Sequence, residues 1–350
     1  ASPAAIAAES TLLPARPQRG PAQGPSTTLA RAGSAVTLRY PPAAGPGVHG
    51  AEGALPPRLD QALRRHSPWP LEDRMRGLKA IALERERLRP ADIQALSLVT
   101  RLTPELTSLD LSCNEIGPDW VRALGEAIFA TANELEQTEF AELVLQFCGL
   151  KSLSGLAAAL DCTTNTGSAG MLALNFAGNR LGSKAMQDLY AVTKKSPKLK
   201  SLILEKNPLG PDGAFALVSA IRATPDLEVL RLGECAFGAD GALDLAEGLQ
   251  ELRSLKELGL ECNGIGPEGA RSLVEAFQHL RELTALDLSW NSLGQSGVQS
   301  IAVALRYCRQ MGRLLVGGNG LDPAAEREVS RGLRQLATGV LEPTRGLLRL

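Results

Sequence analysis

Aromatic residues are scarce in this chain of 350 residues, where they make up 4%, and only three histidines are present. The charges nearly cancel, with 37 Lys and Arg against 38 Asp and Glu and a net charge of -1. This balance disfavours a nucleic-acid binder with a wide phosphate footprint. The uncharged stretch at 162–179 contains Thr, Asn, Ser and Gly throughout, so it is not a membrane span. We expect no transmembrane segment.

The sequence also has few residues in patterns that are typical of catalytic or metal-binding sites. The sequence has no nucleophile elbow, no P-loop, no HExxH and no paired-cysteine zinc spacing. The three histidines are far apart in the chain, at His49, His66 and His279. We therefore predict a protein that is not an enzyme, with no catalytic residues, no cofactor, no metal and no small-molecule substrate.

The six cysteines form no CxxC pair and no compact framework. Reduced thiols are the default interpretation, which suits the cytosol or an organelle matrix. Cys113 and Cys262 precede asparagines of a repeat described below, and we interpret each as a small residue in a tight turn rather than a metal or redox site.

The first 76 residues differ in kind from the rest and are predicted to be a low-complexity Pro/Ala/Gly/Arg extension. Residues 1–50 carry a single acid, Glu9. Such a segment cannot bury enough apolar surface to offset its chain entropy alone. An Arg-bearing, acid-poor start that begins at Ala is similar to an organellar presequence or its flank, and the alternative is a plain disordered tail. We expect a partner-binding arm, with rRNA as one candidate contact, whose basic residues are Arg16, Arg19, Arg31 and Arg39.

The remainder of the chain is an internal repeat. The pattern Leu-x-x-Leu-x-Leu-x-x-Asn-x-(Ile/Leu)-Gly occurs in four blocks, which start at Leu106, Leu199, Leu255 and Leu283, and degenerate copies lie between them. The Asn position of each block, or the Cys that replaces it, is called here a ladder position: Asn114, Cys148, Asn179, Asn207, Cys235, Asn263, Asn291 and Asn319. Their spacing is 34, then 31, then 28 five times. A ninth copy at 78–88 has Glu86 in this slot, as expected at the polar end of a stack.

Each unit combines two periodicities. The alternation at 201–205 predicts a short strand whose two leucines point inward while Ser201, Ile203 and Glu205 point outward. The side-chain amide of Asn207 can then bond backbone groups of its own and neighbouring coils.

A helix follows the strand in each unit. Gly210 permits a tight turn, and Pro211 suits the first helical position. Helical spacing then continues with Ala214, Leu217, Val218 and Ile221, which we expect to cover the inner face of the strand. At ladder positions 148 and 235, cysteine is expected to act as a small buried residue and weak donor.

This pattern closely resembles the leucine-rich repeat superfamily, and its 28-residue period with a full helix is similar to the ribonuclease-inhibitor-like subclass. The resemblance covers residues 77–337. It implies an α/β solenoid, a curved horseshoe of about nine repeats with parallel strands on the concave face and helices on the convex face. Residues 323–337 are predicted to form a closing helix, followed by a tail at 338–350. The first two intervals between ladder positions, of 34 and 31 residues, are longer than the regular 28. They predict insertions near 130–139 and 163–170, which are either loops or partner contacts.

The outward strand positions are rich in acids. The predicted concave face carries seven acids and two bases: Glu84, Asp110, Glu142, Glu205, Glu257, Glu261 and Asp287 against Arg231 and Arg313. This asymmetry favours an acidic groove that receives a basic segment or subunit, although strand positions also need polar residues for solubility. Trp290 is the one large aromatic near this face, and it is either a partner anchor or a local lid over the ladder.

These features together predict an interaction scaffold. We expect an accessory structural subunit of a large mitochondrial assembly on the matrix side, whose partners are other protein subunits. A respiratory-chain or ATP-synthase complex is favoured over the mitochondrial ribosome because the chain is nearly neutral. The alternative is a cytosolic regulator of the ribonuclease-inhibitor or Ran GTPase-activating type, and the fold resemblance alone does not separate the two.

Overall fold

The computed structural model of the chain describes residues 78–88, 103, 105–117, 120–126, 140–161 and 171–321, with isolated residues at 61, 92, 96, 99, 327 and 348–349. The N-terminal arm, both predicted insertions and the predicted closing helix lie outside these ranges, apart from Gln61 in the arm and Arg327 in the closing segment, which are both helical. Every structural statement below concerns the described residues.

One parallel sheet runs through the repeat, and its strands pair in chain order. The nine repeat strands have three residues each: β1 (Ala80–Ala82), β2 (Ser108–Asp110), β3 (Glu142–Val144), β4 (Ala173–Asn175), β5 (Ser201–Ile203), β6 (Val229–Arg231), β7 (Glu257–Gly259), β8 (Ala285–Asp287) and β9 (Arg313–Leu315). Equivalent residues of successive repeats are register partners, as in Leu202 with Leu230. The predicted nine-copy array, including the first copy with Glu86, is confirmed.

Each repeat helix packs behind the sheet. The helices are α1 (Ser154–Asp161), α2 (Ser183–Lys194), α3 (Gly210–Arg222), α4 (Gly238–Leu249), α5 (Gly266–Phe277) and α6 (Gly294–Ala304), which continues into a 3-10 turn at Leu305–Tyr307; residues 120–126 are also helical. Helix α3 begins at Gly210, whose φ is 66°, with Pro211 in its first turn. The four apolar residues predicted for its inner side are all buried.

The ladder residues bond neighbouring coils together as predicted. The buried Asn207 amide donates to the carbonyl oxygens of Leu204 at 2.8 Å and of Phe176 in the preceding coil at 2.9 Å. Its Oδ1 accepts from the Leu181 N–H at 3.1 Å. At Cys235 the thiol donates to the Leu204 carbonyl at 3.4 Å, so cysteine reproduces the donor but not the amide acceptor.

Two features differ from the sequence-based expectations. Ser201, which is predicted to point outward, is the first residue of β5 and is nevertheless buried, with 5% of its surface exposed. Residues Leu348–Arg349, within the predicted tail, form a tenth strand, β10, which pairs parallel to β9.

Candidate interaction surface

The sheet has an open face, defined here as the side chains at the first and third residue of each strand and at the second residue after it. The central residue of each strand points the other way and is buried. The charged residues predicted for partner binding fall into these three columns. The first column has Glu142, Glu257 and Arg313, the third has Asp110, Arg231 and Asp287, and the column after the strands has Glu84, Glu205 and Glu261.

Arg231 forms the centre of a charge cluster on this face. Its guanidinium lies 3.6 Å from Oε1 of Glu205 in the preceding coil and 3.1 Å from Oε2 of Glu257 in the following coil. All three side chains are about a quarter exposed, at 26%, 22% and 32%. One cation therefore serves two carboxylates, and the pairs bridge three successive coils.

Glu261 is the most deeply placed acid of the cluster. Its Oε2 is buried and accepts no hydrogen bond among the described residues. The pKa of Glu261 is raised to about 7, mainly by burial and also by the nearby charges of Asp287 and Glu205, although its backbone hydrogen bond and Arg231 oppose the shift. Near neutral pH this carboxyl is divided between its charged and neutral forms.

Most of these side chains line a small depression of about 50 Å³ that is open to solvent. Its charged lining residues come from four successive repeats: Arg231, Glu257, Glu261, Asp287 and Arg313. With Glu205, which reaches it through Arg231, the cluster has four acids against two arginines. The structure thus brings together six of the nine charged residues predicted for this face.

The other three predicted acids lie outside the cluster, on the coils of β1, β2 and β3: Glu84, Asp110 and Glu142. Glu142 on β3 accepts a hydrogen bond from the Ser108 hydroxyl at 2.9 Å. Asp110 on β2 accepts from the Ser112 N–H at 2.8 Å, and Asp287 makes the equivalent bond to the Ser289 N–H at 2.9 Å. These third-column aspartates therefore also stabilise the turn after their strands.

Trp290 lies at the rim of the open face, in the same coil as Asp287. It adopts a left-handed backbone conformation with φ 59°, and 68% of its surface is exposed. Its ring covers Gly318 of the next coil, where any Cβ would overlap it. Phe147 has the same arrangement over Gly178 and is 51% exposed. Trp290 is thus an exposed aromatic supported from beneath, and Phe147 is an equivalent that the sequence reading missed.

A second row of charged residues directly precedes strands β5, β6 and β7, and it is not among the residues that the sequence analysis singled out. Glu228 lies between two lysines, 2.6 Å from Lys200 Nζ and 2.7 Å from Lys256 Nζ. Hydrogen bonds from both lysines lower the pKa of Glu228. The three residues are spaced by 28, so the repeat period alone was sufficient to find this row.

The helix side differs from the open face. Phe215 on α3 and Leu243 on α4 occupy equivalent repeat positions and are 70% and 56% exposed. His279 follows α5 and is exposed, away from the acidic cluster.

The cysteines of the described residues are all unbridged. Cys113 and Cys262 have φ values of 60° and 57°, so each lies in the tight turn that the sequence predicts.

Within the described ranges, no group of three or more His, Cys, Asp or Glu side chains is placed to hold a metal ion. No helix in those ranges combines the length and apolarity required to cross a bilayer. The arm arginines 16, 19, 31 and 39 lie outside the described residues.

Comparison with known proteins identifies the repeat. A family model described as a leucine rich repeat matches residues 104–125, 195–218, 251–274 and 279–302. No curated protein matches the chain in sequence.

Three solved structures are among those to which the chain is similar. The tropomodulin C-terminal domain from Caenorhabditis elegans is 19% identical over 44% of this chain and 95% of that chain, with a TM-score of 0.36. A chain of the yeast Rad7 and Elc1 complex is 14% identical over 74% and 70%, with a TM-score of 0.44. An internalin from Listeria monocytogenes is 13% identical over 79% and 93%, with a TM-score of 0.36.

Proposed function

We propose that this chain, which matches a leucine rich repeat model in four segments, is a non-catalytic scaffold whose open face binds a basic segment of a protein partner. Leucine-rich repeats typically form interaction scaffolds, and no catalytic family is among the matches. Function on such a scaffold resides in its exposed residues, so the proposal depends on the chemistry of the open face.

The charge of the open face is the observation that carries the proposal. The whole chain has a net charge of -1, yet the cluster around Arg231 has two more acids than arginines. Such a local excess attracts a basic partner and increases its association rate, most strongly at low salt. Arg231 is already shared by Glu205 and Glu257, which leaves Glu261 and Asp287 to receive cationic groups from outside.

Trp290 supports the same choice of surface. Tryptophan is enriched among the residues that dominate binding energy at interfaces. The ring of Trp290 packs directly over Gly318, which supports it from beneath. Its coil also supplies Asp287 to the acidic depression. An aromatic ring beside carboxylates suits an arginine-bearing segment, because a guanidinium can both stack and pair with acids.

Site-specific photocrosslinking tests this assignment. A benzoylphenylalanine replaces Trp290 in one variant and Phe215 in a control variant, since the two residues are similarly exposed, at 68% and 70%, on opposite sides of the repeat. We expect adducts from position 290 whose crosslinked peptide is rich in Lys and Arg. Equal crosslinking from position 215, or adducts only with acidic peptides, would contradict the proposal.

For the cellular setting, we propose an accessory structural subunit of a mitochondrial assembly on the matrix side. The acid-poor, Arg-bearing segment at 1–50 supports organelle targeting or an assembly-binding arm. The near-neutral total charge favours a protein-rich complex of the respiratory chain or ATP synthase, with the ribosome, through rRNA contacts of the arm, as the alternative assembly. Native gels of mitochondria from cells that express the tagged chain should show it in a large complex, whereas a cytosolic monomer would contradict this placement.

A further inference from the structure

The Glu261 carboxyl occupies a space that two glycines leave open. A Cβ at Gly233 would overlap its carboxylate, and a Cβ at Gly259 would lie 3.1 Å from Oε2. Both glycines are buried, and they belong to β7 and to the coil of β6. A side chain in either position would push the carboxyl toward solvent. The fold therefore holds this acid against the sheet surface, inside the acidic cluster.

Charged groups surround Glu261 from every neighbouring coil. The coil of β5 contributes Glu205, β6 contributes Arg231, β7 itself Glu257, β8 Asp287 and β9 Arg313. Arg231 is paired with Glu205 and Glu257, and Glu261 forms no ion pair among the described residues. Its negative charge is therefore partly desolvated, close to other acids and without a counter-ion of its own.

We propose that Glu261 is a proton-controlled element of the open face, which strengthens binding of a basic segment when it is ionised and weakens it when it is protonated. This inference rests on the proposed function of that face and specifies its regulation. The pKa of Glu261, raised to about 7 mainly by burial, places the change near neutral pH. Protonation reduces the acid excess of the cluster from two to one, because four acids then act as three against two arginines.

The reverse effect follows by linkage. A bound cation beside Glu261 stabilises its charged form, so binding must lower the pKa of this carboxyl and release protons. A partner that arrives at neutral pH completes the missing ion pair and holds the carboxyl in its ionised state. The open face then acts as a sensor of both pH and occupancy.

A nona-arginine peptide is a suitable probe, because guanidinium groups keep their charge across the whole interval from pH 6 to pH 8. Its affinity for the wild-type chain is measured at these two limits by isothermal titration calorimetry at low salt. We expect binding to be roughly twofold to fivefold tighter at the higher pH, which corresponds to one added surface ion pair. In Glu261→Gln the affinity should be lower at pH 8 and should lose most of this dependence.

The matched control is Glu275→Gln, which removes the same charge from an exposed position on α5. It should retain the wild-type pH dependence. Imidazole groups also change charge in this interval, but they are identical in all three proteins, so the comparison isolates Glu261.

A second readout needs no peptide. The carboxyl carbon of Glu261, assigned by through-bond correlations to its own backbone, should titrate near neutral pH in the NMR spectrum of the free wild-type chain. An ordinary acidic midpoint would overturn the inference even if the variant failed to fold. Peptide binding that is equal at pH 6 and pH 8 would overturn it while leaving the proposed function intact. Absence of peptide binding at both values would contradict the proposed function itself.

Discussion

At the residue scale, Glu261 links the pH to the stability of the fold. Its pKa is raised on folding, from an ordinary value of 4.5 to about 7, so the folded chain binds this proton more tightly than the unfolded chain. The stabilisation is complete below pH 4.5 and is lost as the pH rises to about 7. A single proton accounts for a slope of at most about 1.4 kcal/mol per pH unit.

We therefore expect Glu261→Gln to flatten the pH dependence of the unfolding free energy between pH 5 and pH 7.5. Urea denaturation of the wild type and the variant at several pH values measures the difference. Glu275→Gln serves as the control and should follow the wild type. If Glu261→Gln and the wild type run parallel across this range, the carboxyl is not buried as the structure has it.

Gly233 provides a separate test of the same carboxyl. In Gly233→Ala the added methyl overlaps the Glu261 carboxylate, which can rotate away because it is the far end of a flexible side chain. We expect the variant to remain folded, with the pKa of Glu261 shifted down toward its ordinary value. An NMR titration of the Glu261 carboxyl carbon checks this, and an unchanged midpoint would show that Gly233 does not define its position.

The ladder asparagines make a larger energetic contribution. Asn207→Ala removes two donated hydrogen bonds and one accepted bond, and leaves buried backbone groups without partners. The expected loss of unfolding free energy is about 2–4 kcal/mol. Asn207→Cys should lose less, because a thiol at the equivalent site of Cys235 still donates to a buried carbonyl. Denaturant titration of both variants tests the order, and equal losses would contradict the donor role.

At the element scale, a column of buried glycines sets the distance between adjacent helices. In α4 a Cβ at Gly241 would lie 2.9 Å from Phe237 Cβ, 3.1 Å from Ala214 Cβ and 3.2 Å from the Pro211 Cα of α3. Gly269 and Gly297 repeat the contact in α5 and α6. Neighbouring helices therefore meet closely near their first turns.

Gly241→Ala should cost about 1–3 kcal/mol, because the methyl has backbone and Cβ atoms against it rather than a mobile side-chain end. Gly248→Ala in the same helix is the matched control. A Cβ there meets its nearest atoms at 3.5 Å, which is ordinary contact, so the better helix propensity of alanine should leave stability unchanged or raise it by about 0.5–1 kcal/mol. The thermal unfolding temperature should fall in Gly241→Ala and should not fall in Gly248→Ala, and a harmless Gly241→Ala would contradict the close packing of the helices.

The repeat period explains why so much of the fold was predictable. Because equivalent residues recur every 28 positions, the alternating pattern fixes which strand residues face the core, and the nine strands and the ladder bonds follow from it. The same register placed Glu205, Arg231, Glu257, Glu261 and Asp287 on one face. The register did not reveal that Arg231 pairs with two of these acids, because a repeating sequence pattern does not determine side-chain conformations.

Most of the features that could not be predicted from the sequence depend on how closely neighbouring coils approach each other. The burial of Ser201 and the support of Phe147 by Gly178 follow from the approach of neighbouring coils, which residue type alone does not give. The pairing of Leu348–Arg349 with β9 lies beyond the last copy of the repeat, so no periodic signal marked it. The Lys200, Glu228 and Lys256 row, in contrast, was visible in the 28-residue spacing.

At the scale of the whole molecule, the residues that stabilise the repeat are distinct from those of the proposed binding face. Ladder bonds, buried leucines and helix glycines serve the repeat, and they have the same roles in successive coils. The acidic cluster breaks that uniformity, because it belongs to the coils of β5 to β9 alone among the described strands. A non-periodic feature on a periodic scaffold is where we expect the function of this chain to reside.

The most direct test compares the affinity of the nona-arginine peptide for two variants that each lose two acids. Glu261→Gln/Asp287→Asn removes the two open-face charges that do not pair with Arg231, and Glu251→Gln/Glu275→Gln removes two charges from exposed positions outside that face. At pH 8 and low salt, the open-face variant should bind at least about fivefold more weakly than the wild type, and the control should change less than about twofold. Equal losses in both variants would show that only net charge matters, and would contradict the assignment of the open face as the binding surface.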